Sequence, residues 1–187
     1  LPVKIEPQQN ETYNTKFKTN IVWKQLFHNP HIVDASYWSV NATFGTKTVA
    51  DNKMTYTITT KNANQAITQP NIAFTQNHIY LLSCWLTVSE DQVVGIYTGN
   101  TVTNIANVKA NVRTRIFNVF KSNVTSTRTC YIYPARNGGL PIGGTVVVED
   151  GCLYDLTEMF GEGKETLGRF SFLSNFPNNY YDYNVDG

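Results

Sequence analysis

Residues 53–60 of this chain, Lys-Met-Thr-Tyr-Thr-Ile-Thr-Thr, alternate large apolar and hydroxyl side chains. In extended backbone successive side chains point to opposite faces, so Met54, Tyr56 and Ile58 fall on one side and Thr55, Thr57 and Thr59 on the other. Such a segment has one face in a core and one in water, which demands a sheet backed by apolar material. Residues 79–88 repeat the pattern, turning Tyr80, Leu82, Cys84 and Leu86 inward and Ser83, Trp85 and Thr87 outward. Further strand signals stand at 21–27, 92–98, 110–121, 126–133 and 144–150, with turn residues at Gly99-Asn100, Asn137-Gly138-Gly139 and Pro141-Ile142-Gly143-Gly144. No segment of helical period and useful length precedes Asp155. The spacing is that of a sandwich rather than of βαβ units, and the expected class is all-β with a short helical, aromatic-rich C-terminal appendix.

Three parts are expected. Residues 1–20, with Pro2, Pro7 and a Gln-Gln-Asn-Glu run, read as a linker or arm; 21–154 form the sandwich; 155–187 form a docking segment packed on it. The first residue is Leu1 rather than methionine, as expected of a piece of a longer polypeptide.

Charged residues are 16% of the 187 and the formal net charge is +1, so bulk charge argues for neither nucleic acid nor an anionic membrane surface as partner. Cys84, Cys130 and Cys152 are an odd set without Cys-x-x-Cys spacing or a histidine at ligand distance. They read as buried small hydrophobes in a reduced setting, with one disulfide plus a free thiol as the alternative.

Catalytic groupings are lacking, and the chain reads as a non-enzyme. The histidines are His28, His31 and His78, and nothing in their placement suggests a Ser or Cys triad. Glycan hydrolysis needs two carboxyl groups facing one bond, whereas Glu90 with Asp91 and Glu149 with Asp150 are adjacent and point apart in extended backbone. No cofactor is expected; a structural calcium ion at Glu149 and Asp150 is an alternative, since hard cations favour such oxygens.

Binding is the chemistry left. Sugar rings present C–H faces ringed by hydroxyls, so a site needs an aromatic platform with polar neighbours on a rigid sheet. Trp85, flanked by Ser83 and Thr87, is a candidate platform as well as a candidate core residue. Arg113 and Arg115 share one face of a later strand, and Tyr37 and Trp38 stand near a loop opened by His28-Asn29-Pro30. Ligand-binding candidates are therefore Trp85, Trp38, Tyr37, Arg113 and Arg115.

The C-terminal part reads differently. In Asp155-Leu156-Thr157-Glu158-Met159-Phe160-Gly161-Glu162-Gly163, Asp155 can cap a helix start with Glu158 completing a variant capping box. Met159 and Phe160 then form an apolar face, and Gly161 and Gly163 stop the helix. Phe176-Pro177-Asn178-Asn179-Tyr180-Tyr181-Asp182-Tyr183-Asn184 follows. Asp155, Thr157, Met159, Phe160, Gly161, Gly163, Tyr180 and Tyr181 make up the docking motif, the tyrosines serving packing or subunit contact.

This pair of motifs resembles the C-terminal signature of tail, fibre and appendage proteins of phages infecting Gram-positive bacteria. Lys164-Glu165-Thr166-Leu167 stands where that family has Asn-Glu-Pro-Thr, which weakens the signal for a second helix over 166–174. The resemblance implies a jelly-roll β-sandwich similar to carbohydrate-binding modules, and an Asn29-Pro30 opening followed by Trp38 suits its first strand. It further implies a virion module on the particle surface that attaches to host cell-wall or surface glycans, as a homo-oligomer, commonly a trimer. The alternatives are a purely structural capsid, head-fibre or baseplate module for oligomer assembly, and, from the enzyme class, a glycan-degrading domain using Glu149 or Asp150.

Overall fold

The structure is a computed structural model and describes residues 24–97 and 102–166. Among these residues the strands are β1 Ser39–Val40, β2 Gly45–Ala50, β3 Lys53–Ile58, β4 Ile67–Phe74, β5 Ile79–Val88, β6 Gln92–Tyr97, β7 Val102–Val108, β8 Thr114–Lys121, β9 Ser126–Tyr133 and β10 Thr145–Asp155. A single turn of helix, α1 Leu156–Phe160, follows. The strands form two antiparallel five-stranded sheets, β1-β4-β9-β6-β7 and β2-β3-β10-β5-β8.

The alternation in β3 and β5 does what the pattern demands. Met54, Tyr56, Tyr80, Leu82, Cys84 and Leu86 are fully buried between the sheets, facing Ile67, Ile72, Phe74, Val94, Ile96 and Ile132 of the other layer. Each fully buried side chain of this size contributes about 1.5–3 kcal/mol relative to exposure. Register carries the pattern across the sheet, pairing Val148 with Met54 on one side of β10 and with Leu86 on the other.

Four strands had no expected counterpart, β1, β2, β4 and β7, and of the strand expected at 21–27 the described residues keep only an isolated bridge of Gln25 with Tyr154. β1 is only two residues long, β2 and β7 carry Thr, Lys or Asn, and β4 contains Pro70 and Asn71, where its pairing with β9 shifts register between Gln69 and Ile72. The signal at 110–121 becomes a strand only from Thr114, with Ala110 making an isolated bridge to Val88. The end expected at Asp150-Gly151 is a bulge instead. Asp150 has φ 46°, register shifts between Glu149 and Cys152, and β10 runs on to Asp155.

The outer face of β5 is only partly wet, and Ser83, expected on a wet face, is buried. Leu81, Cys152, Tyr154 and Leu156 form a second buried cluster there, with Phe117, Met159 and Phe160 packed against it. Gln25 ties the segment before the first strand to β10. Its Oε1 accepts from the backbone N–H groups of Phe27 at 3.1 Å and Leu153 at 2.7 Å. The three cysteines are buried free thiols, so the disulfide alternative is not formed.

Candidate functional site

β9 lies inside its sheet between β4 and β6. Ile132 points inward, so Tyr131 and Tyr133, one residue to either side, emerge on the outer face. On β6, Tyr97 is the register partner of Tyr131 and shares that face. The three rings form a ladder: Tyr97 meets Tyr131 edge-on with centroids 5.8 Å apart, and Tyr131 lies near-parallel to Tyr133 at 6.0 Å. The Arg136 guanidinium sits 5.5 Å from the Tyr133 ring centroid.

Beside the ladder runs an open groove of about 350 Å³ lined by Asn71, Tyr97, Thr127, Arg128, Thr129 and Tyr131. The β4 bulge sets one wall, where Asn71 takes φ 60°. Arg128 Nε donates to Ser126 Oγ at 2.8 Å, and Arg136 Nη1 donates to Ala63 O at 3.1 Å and Asn64 Oδ1 at 3.2 Å. Burial, with Tyr131 close by, pushes the Tyr133 phenol above its ordinary value against the opposing pull of Arg136. The phenol is a neutral donor and acceptor at physiological pH. Partly exposed aromatic faces next to hydroxyl, amide and guanidinium groups can hold a molecule with an apolar face and a polar rim. Among the described residues no carboxylate lines the groove.

Three of the expected ligand residues meet on the outer face of the other sheet, where Trp85 is the register partner of Arg115. Arg113 stacks over the Trp85 ring and donates from Nε to Glu149 Oε2 at 3.0 Å, while Lys53 stands 3.4 Å from Glu149 Oε1. Arg115 Nε donates to Ser83 Oγ at 3.2 Å. Trp85 is therefore covered on one face by a cation that is itself held in place.

Trp38 is no ligand contact. It is fully buried, donates from its indole to Asn29 O at 2.7 Å and meets Phe27 edge-on, under β10 at Gly151. Tyr37 is 48% exposed and stacks on His28. At the calcium alternative, Glu149 is taken by Arg113 and Lys53, and Asp150 Oδ1 lies 3.2 Å from His31 Nδ1. No group of three or more possible metal ligands occurs among the described residues.

In the C-terminal motif Asp155 Oδ1 accepts from the Glu158 backbone at 2.9 Å, and its Oδ2 lies 2.7 Å from His78 Nδ1. Thr157 Oγ1 accepts from Ile79 N and donates to Glu165, both at 2.9 Å. Glu158 does not complete a capping box; its carboxylate reaches Lys24 at 3.1 Å. Gly161 and Gly163 take φ 89° and 79°. Glu165 and Thr166 are helical, where the second helix was expected to begin; positions 167–174, Tyr180 and Tyr181 lie outside the described residues.

The tyrosine ladder went unnoticed in the sequence. Its signal is the Tyr-x-Tyr alternation of 131–133, which predicts a shared face; the addition of Tyr97 depends on register.

No protein-family model matches the chain, and no curated protein matches it. Among solved structures, the CBM22-1–GH10 modules of Clostridium thermocellum xylanase 10B, complexed with xylohexaose, align over 72% of this chain and 29% of theirs at TM-score 0.56 and 12% identity. The second N-terminal cellulose-binding domain of Cellulomonas fimi β-1,4-glucanase C aligns over 71% of this chain and 95% of its own at TM-score 0.52 and 14% identity. The CBM1 of BiXyn10A aligns over 66% and 93% at TM-score 0.51 and 10% identity. The protein is an all-β, two-sheet jelly-roll sandwich with the fold of carbohydrate-binding modules.

Proposed function

We propose that this chain is a non-catalytic module that binds glycans on the outer face of the β4-β9-β6 sheet. The observation that carries the reading is the Tyr97, Tyr131 and Tyr133 ladder bordering a polar groove, on a sandwich shared with sugar-binding domains. Shared architecture alone does not make a binder, so the site has to supply the chemistry. Absence of catalysis is supported by the fate of Glu149 and Asp150, which are engaged by Arg113, Lys53 and His31 instead of facing a cleft.

The C-terminal signature at 155–184 supports placing the module on a phage tail, fibre or appendage, exposed on the particle and repeated in an oligomer such as a trimer. Many copies on one particle multiply weak individual binding to host cell-wall glycans. The same signature also suits a structural part of a capsid, head fibre or baseplate.

Tagged protein is expected to be retained on host cell walls and on glycan arrays, and Tyr131→Ala to abolish retention with an unchanged circular dichroism spectrum. No retention, together with a stable oligomer in light scattering, would favour the assembly role.

A further inference from the structure

Asn137-Gly138 is the single Asn-Gly pair of the chain, and it stands in the turn that leaves β9. Both residues are exposed, and Gly138 takes φ 78° with open space where a side chain would stand. Neither the Gly138 N–H nor the Asn137 side-chain amide enters a hydrogen bond among the described residues. The rest of the turn is held. Arg136 N donates to Val93 O at 2.8 Å, Asn137 N to Gln92 Oε1 at 3.2 Å, and Gly139 N to Ala135 O at 3.1 Å. Gly139 is also pressed on the Asn62 backbone, whose oxygen would lie 2.3 Å from a Cβ. The two unheld groups are the two that a cyclisation uses.

We propose that Asn137 is a site of spontaneous deamidation, which leaves aspartate or isoaspartate in this turn. The Gly138 nitrogen attacks Asn137 Cγ and forms a C–N bond. The Cγ–Nδ2 bond breaks, and ammonia leaves with the proton that Gly138 gives up. Water, the only co-reactant, then opens the five-membered imide at either carbonyl. Glycine favours the attack because no Cβ crowds the nitrogen and its backbone turns freely. Each event replaces a neutral amide by a carboxylate, lowering the formal net charge from +1 by one, to zero. The new charge stands one residue from Arg136, whose guanidinium lies 5.5 Å from the Tyr133 ring centroid.

The same chemistry, with water as the leaving group, is closed at Asp150-Gly151. Gly151 is buried, its N–H donates to Pro30 O at 3.0 Å, and a Cβ there would lie 2.3 Å from Trp38. The inference is independent of glycan binding, and the two glycine pairs give it an internal comparison.

Native protein and the chain unfolded in guanidinium chloride are incubated side by side at body temperature and mildly alkaline pH, digested with pepsin, and followed by mass spectrometry and isoaspartyl methyltransferase labelling. Asn137 in the native protein is expected to gain one dalton at a rate within about tenfold of the unfolded chain, and at least about tenfold faster than any other native asparagine. Isoaspartate at position 150 should form in the unfolded chain alone. Asn137→Gln, whose longer side chain would have to close a six-membered ring, should remove the early acidic species on ion exchange with an unchanged circular dichroism spectrum. Native protection of Asn137 beyond that tenfold, equal rates at another native asparagine, or early acidic species that persist in Asn137→Gln would overturn the proposal.

Discussion

Arg113 lies across Trp85 with its guanidinium carbon 4.0 Å from the ring centroid, and Glu149 holds it there through a 3.0 Å hydrogen bond to Nε. A sugar approaching that ring face would have to displace a cation already paired with a carboxylate. This relationship turns the most conspicuous exposed-strand tryptophan into part of the scaffold and moves the candidate site to the opposite sheet.

Trp85→Ala is accordingly expected to lower stability by about 1–3 kcal/mol, through lost burial and a lost cation–π contact, and to leave glycan affinity unchanged. Tyr131→Ala should do the reverse, lowering affinity about a hundredfold or more, about 2.8 kcal/mol, so that retention is lost, with a smaller effect on the urea midpoint. Paired binding and denaturation curves check both.

Gly151 leaves no space for a side chain. A Cβ there would lie 2.3 Å from Cη2 of Trp38, itself held beneath the β10 bulge. Gly151→Ala should cost about 1–3 kcal/mol by overpacking, read as a shift in the urea midpoint with an unchanged slope.

Gln25 satisfies two backbone donors with one oxygen. Gln25→Leu keeps the volume but leaves the Phe27 and Leu153 N–H groups without that acceptor, for a loss of about 1–3 kcal/mol per buried group left unsatisfied. Gln25→Glu, which keeps the accepting oxygen, should retain the two contacts; faster hydrogen exchange at Leu153 in the leucine variant alone is the expected signature.

Alkali should destabilise the fold in two stages. Burial raises the thiols of Cys84, Cys130 and Cys152 above the ordinary 9.0, the last two to about 12. Burial also raises Tyr56 and Tyr80 from 10.0 to about 12. A raised folded value means the folded state keeps protons that the unfolded chain releases, so this stability is complete below pH 9 and is lost as pH climbs toward 12. Urea midpoints should decline above pH 9 and more steeply above pH 10. Cys130→Ala should flatten the first stage and Tyr56→Phe the second, each relative to its own value at pH 7.

The strands that could be read directly are those with strict alternation. β5 and β9 have the bounds their patterns predict, because a period of two with a buried side needs no outside information. β4 could not be read so, since Pro70 and Asn71 interrupt its period and only the neighbouring β9 shows that the interruption is a bulge. Trp38 and Trp85 look alike as aromatics near polar residues. Their different fates come from Gly151 and Arg113, which are remote in the chain.

The residue pattern by itself determined an all-β sandwich, its inward faces on β3 and β5, and a helix start capped by Asp155, because each depends on neighbours within a few positions. Tertiary structure decided which outer face stays available. The C-terminal turn closes part of one sheet through Leu156, Met159 and Phe160, whereas pairing of β6 with β9 assembles Tyr97, Tyr131 and Tyr133 on the other. The physical reason is that a surface is made from strands distant in the chain, and their register is a property of the packed sheet.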